Sequence, residues 1–85
     1  MHELGIANSI LEAVETEMRP HPGARAVKIG VRVGALSGVD AGSLAFCFQA
    51  IVKGTPFESL TLEVRDSAAD ELELTSLELE EPEPS

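Results

Sequence analysis

Eighty-five residues leave room for one small domain, and an apolar content of 44% is too high for a disordered chain. A net charge of −9, with fifteen carboxylates against six Lys and Arg, argues against a phosphate-binding, nucleic-acid surface. The single cysteine excludes an internal disulfide and any paired-cysteine zinc or redox motif.

No apolar run approaches the ~18 residues of a membrane span, and Met1-His2-Glu3-Leu4 has no basic stretch before an apolar block. A soluble, cytoplasmic chain without a signal peptide is the expectation.

The chain opens with a helical period: Leu4, Ala7, Leu11, Val14 and Met18 form an apolar stripe that Ile10 widens. Pro20 ends it, and Pro20-His21-Pro22-Gly23 reads as a turn. From Ala26 the period becomes two. Val27, Ile29, Val31 and Val33 form one face of a strand, opposite Lys28, Gly30, Arg32 and Gly34. Asp40 is a candidate N-cap for a second helix whose stripe is Leu44, Cys47, Phe48 and Ile51. Gly54 stands where a left-handed residue closes a helix.

Leu60, Leu62 and Val64 alternate as a second strand. In the third, Leu72 and Leu74 are even-numbered, whereas Leu77 and Leu79 are odd. A β-bulge at Thr75-Ser76 reconciles the two parities. Residues 1–79 then form the domain, and residues 80–85, charged and broken by prolines, a disordered acidic tail. The fold class is α+β in the order α-β-α-β-β, with two helices on one face of a three-stranded sheet. The short join from Arg65 to Asp70 suggests that the last two strands are antiparallel neighbours and that the chain is a monomer.

Ordinary catalytic arrangements are absent. No phosphate loop is present, and no nucleophile stands with a base. Cys47, on an apolar stripe, reads as a small core residue, and His21 as a solvated turn residue. The chain is therefore not expected to be an enzyme. His2 differs by its position. The Met1 amine, the amide nitrogen between Met1 and His2 and the His2 imidazole can close adjacent five- and six-membered chelate rings around one ion. An all-nitrogen, near-planar donor set suits Ni(II) or Cu(II) rather than Mg or Ca, and Glu3 adds a carboxylate beside it. The same residues also read as an ordinary frayed terminus.

Four segments, in order, resemble the HypA/HybF family of nickel-insertion accessory proteins. They are Met1-His2-Glu3-Leu4, Val31 through Val39, Gly54-Thr55-Pro56-Phe57-Glu58, and Asp70 through Leu79. Together they span nearly all of residues 1–79. The resemblance implies a nickel metallochaperone that serves [NiFe]-hydrogenase and, in some bacteria, urease. It implies Ni(II) ligation at the Met1 amine, the His2 backbone nitrogen and the His2 imidazole, with Glu3 as a further ligand or a recognition residue. The implied partners are the maturation GTPase and the hydrogenase large subunit. The family also carries a zinc lobe with two CxxC pairs between its last two strands. Here Asp66-Ser67-Ala68-Ala69-Asp70 stands in its place without cysteines, so no bound zinc is expected. The competing reading is a metal-free docking module that binds the GTPase or the hydrogenase through its acidic surface.

Overall fold

The computed structural model describes residues 3–34, 38–68 and 72–82. The elements are α1 (Glu3–Met18), β1 (Arg25–Gly34), α2 (Ala41–Val52), β2 (Thr61–Ser67) and β3 (Leu72–Glu80), in the expected order. Asp40 caps α2, its carboxylate accepting a hydrogen bond from the Ser43 amide at 2.8 Å. After α2, Gly54 adopts φ 81°, the left-handed conformation that a glycine enters without steric cost. The Thr55 hydroxyl donates to the Val52 carbonyl at 2.6 Å and accepts from the Phe57 amide at 3.1 Å. That pair of bonds closes the helix end and turns the chain toward β2, so the Gly-Thr-Pro-Phe segment has a structural task.

β1 is the central strand. It pairs parallel with β2 and antiparallel with β3, giving the order β2-β1-β3. The expectation of adjacent last strands is therefore wrong. A short join is compatible with a hairpin, but its reach does not require one. Ser67 pairs with Gly34 and Leu72 with Val33, so the join must pass β1, across two strand spacings of roughly 4.8 Å each. Four intervening residues reach about 17 Å, which is enough. Parallel pairing of β1 with β2 needs a crossover, and α2 supplies it.

The third-strand bulge is present where the parity switch put it. Gly30 pairs with Ser76 and Val31 with Leu74, which leaves Thr75 as the extra residue. An added Cβ on Gly30 would lie 2.5 Å from the Ser76 hydroxyl and 3.0 Å from that of Thr75. The bare glycine is thus the space the bulge occupies. A second bulge was not foreseen: Ala26 pairs with Leu79 and Lys28 with Glu78, so Val27 is extra. It turns Ala26 rather than Val27 into the core, beside Ile29, Val31 and Val33.

Both helices cover that inner face. The buried residues of α1 are Ile6, Ala7, Ile10 and Val14; those of α2 are Leu44, Phe48 and Val52. The α1 stripe is rotated from the expected one, with Ile6 inside and Leu4 51% exposed. Leu11 and Met18 pack half-buried against the core, and Leu4, in the first turn, lines a cleft with Ser43 and Cys47 of α2. β3 extends through Glu80, one residue into the expected tail. Beyond it, the Glu81 carboxylate stands 3.3 Å from Nδ1 of His21, and Pro82 faces Gly23. Residues 83–85 lie outside the described residues.

Candidate metal-binding end of the helix layer

The path of the chain places both helix N-termini at one end of the molecule. α1 leads through the turn at Pro20–Gly23 into the start of β1, and the far end of β1 leads through Asp40 into α2. α1 and α2 therefore run parallel to each other and antiparallel to β1. Glu3, Leu4, Gly5 and Asn8 of α1 accordingly line one cleft with Ser43 and Cys47 of α2. The end of β2 and the start of β3 lie at this same end, beside Val33 and Gly34.

Met1 and His2 precede this cleft and lie outside the described residues. Of the three expected ligands, Glu3 is described: it is half-buried, begins α1 and lines the cleft. Among the described residues no three His, Cys, Asp or Glu side chains converge as a metal-holding group. His21 is separated from Glu3 by the sixteen-residue length of α1, roughly 24 Å at 1.5 Å per residue. It keeps the turn role read from the sequence. Cys47 is half-buried, packed against the core and lining the cleft, so it is more open than a core residue.

The electrostatics of this end follow from the topology. The two helix N-termini direct their positive dipole ends the same way, and at α2 the Asp40 carboxylate already takes the Ser43 amide. Such a field is positive over the cleft. It opposes a bound cation, and the carboxylates of Glu3 and Asp40 at the two N-termini offset that term. Asp40 itself is held below the usual carboxylate range by the Ser43 amide.

The chain is thus a two-layer α+β domain whose helix layer opens a cleft at the end where both helices begin. The chain belongs to the family described as "Hydrogenase/urease nickel incorporation, metallochaperone, hypA", whose model matches residues 1–78. It is 38% identical over 69 residues to the hydrogenase maturation factor HypA of Chlorobium limicola, covering 81% of this chain and 60% of that protein. With the HypA of Escherichia coli K12 the identity is 31% over 70 residues, covering 82% and 60%. The chain thus spans about three-fifths of the length of these curated relatives. The solution structure of the Ni metallochaperone HypA from Helicobacter pylori superposes with a TM-score of 0.80, covering 96% of this chain and 100% of that one. At 14% identity that likeness establishes the fold.

Proposed function

We propose that this chain is a nickel-carrying domain for the maturation of [NiFe]-hydrogenase, holding Ni(II) at its N-terminus and releasing it to a protein partner. What supports the reading is family membership through residue 1, together with Glu3, the first residue of α1, lining the cleft between the helix N-termini. The Met1 amine, the His2 amide nitrogen and the His2 imidazole supply the donors, and Glu3 the adjacent carboxylate. Protonation of these nitrogens releases the ion, so binding is reversible by design of the donor set. The maturation GTPase and the hydrogenase large subunit are the proposed partners, in the cytoplasm, and no resident zinc is assigned to this chain.

Titration of nickel into the metal-free protein tests the reading. One Ni(II) per chain is expected, lost in His2→Ala and retained in His21→Ala. Unchanged binding in His2→Ala contradicts it, and absence of nickel binding in the wild type favours the metal-free docking module.

A further inference from the structure

The expectation of a monomer rested on a hairpin between β2 and β3, and the fold does not form one. With β1 in the centre, β2 and β3 each pair on one side only among the described residues. Each therefore offers an outer edge of backbone amides and carbonyls to another strand. The two edges are guarded differently. β3 carries Glu73, Glu78 and Glu80 and no cation, so a second β3 laid against it meets only like charge. β2 carries charges of both signs, Glu63 and Arg65, on the outer sheet face, while Leu62 and Val64 pack against the core.

Register decides what the β2 edge accepts. Two copies related by a two-fold axis within one sheet pair antiparallel. Keeping both helix layers on the same side of the joined sheet sets odd-numbered residues opposite odd-numbered ones. Centred on Glu63, such a pairing brings two carboxylates together; centred on Arg65, it brings two guanidinium groups together. Centred on Val64, it sets Glu63 of each copy opposite Arg65 of the other, and Asp66 opposite Leu62, with no like charges facing. The Arg65 side chain is 76% exposed and reaches back along its own strand to Glu63 at 2.8 Å. Residues two apart on one strand are separated by roughly 6.8 Å, whereas opposite residues of an antiparallel pair are about 5 Å apart. The pair across the axis is the shorter reach.

The helix layer leaves room for this. α2 runs along β2, and the cleft between them is lined by Ala45, Gln49, Leu60 and Leu62. A second α2, running antiparallel above the joined strands, closes that cleft. The net charge of −9 opposes association at long range, but it is screened beyond roughly 8 Å at physiological ionic strength, whereas the edge pairs are in contact.

We infer that the free edge of β2 is self-complementary and that two copies of this chain join there, Glu63 to Arg65 across a two-fold axis at Val64. The two three-stranded sheets then form one continuous sheet. The ends at which α1 and α2 begin point in opposite directions in the pair, so pairing leaves one nickel per chain unchanged, and the two proposals fail separately.

Sedimentation equilibrium of the metal-free chain tests the inference. A concentration-dependent dimer is expected. Glu63→Arg alone or Arg65→Glu alone should weaken it about tenfold or more, since each sets two like pairs across the axis. Mixing the two single variants should restore a dimer containing one of each, and the chain carrying both substitutions should pair with itself. A dimer lost through damage to the fold is not repaired by mixing. Should Glu63→Arg, which also loses Lys28, disturb the circular dichroism spectrum, Arg65→Glu beside Arg65→Lys carries the same test: the first loses the dimer and the second keeps it. A wild type that stays monomeric at millimolar concentration overturns the proposal. So does a dimer indifferent to Arg65→Glu, or folded single variants that lose the dimer and do not recover it when mixed.

Discussion

The two faces of this domain treat charge in opposite ways. On the outer sheet face, every cation has an anion. Lys28 Nζ and Arg65 both reach Glu63, at 2.6 and 2.8 Å, Arg32 pairs with Glu73 at 3.3 Å, and Arg25 with Glu80 at 3.0 Å. Three of these pairs join β1 to a neighbouring strand, and Arg65–Glu63 lies within β2. On the helix face the α1 carboxylates enter no ion pair among the described residues, and two large apolar side chains are exposed. The contrast separates a face whose cations the fold itself pairs from one whose α1 carboxylates are left to solvent.

The largest effect that sharpens this contrast lies within α2. Phe48 is fully buried and Phe46, two positions away, is exposed. Phe48→Ala should destabilise the domain by about 3–5 kcal/mol, through lost transfer energy and the cavity left behind. Phe46→Ala should change stability by no more than about 0.5 kcal/mol. Urea unfolding of the two variants checks this, and a comparable loss in both would mean that Phe46 is part of the core.

A smaller effect belongs to the outer face. The hydrogen bonds from Lys28 and Arg65 hold the Glu63 carboxyl below its usual range. A carboxylate depressed in the folded state contributes stability above its unfolded value near 4.5, and that contribution is lost as pH falls through the folded one. The Lys28 ammonium is raised by the same pair, chiefly through its hydrogen bond to Glu63. Its share is present below 10.5 and disappears as pH rises through the higher folded value. The melting temperature should therefore decline below pH 4.5, and the decline should be shallower in Glu63→Gln. Because these side chains are solvent-accessible, high salt should flatten the wild-type curve as well. An identical acid limb in wild type and Glu63→Gln would show that the pair does not couple to folding.

Much of this architecture was legible in the sequence because local pattern and tertiary outcome agree. The change of period at Ala26, the Asp40 cap, Gly54 and the parity switch at Thr75 each have one physical reading, and each is found in the structure. What was not legible depends on long-range pairing. The central position of β1 rests on a parallel ladder between segments more than thirty residues apart, which the join at 66–70 does not reveal. The bulge at Val27 is set by β3 across the ladder, and Ala26 is small enough to take the core position without a hydropathy signal. The exposure of Leu4 was hidden for the opposite reason, whereas Phe46 lies off the α2 stripe and is exposed as that position implies. An apolar residue on a helix reads as core until the neighbouring elements are known.

The proposed donor set at residues 1–3 is argued from chemistry alone, since a chelate of amine, amide and imidazole requires nothing from the fold. Its free amine is also the most direct point of attack. Nickel affinity should be measured on the protein bearing a cleavable N-terminal extension of several residues, before and after cutting directly before Met1. The account predicts weak binding with the extension in place and recovery of one Ni(II) per chain when the Met1 amine is released. Equal affinity before and after cleavage would contradict it, because the ion would then be held without the terminal nitrogen.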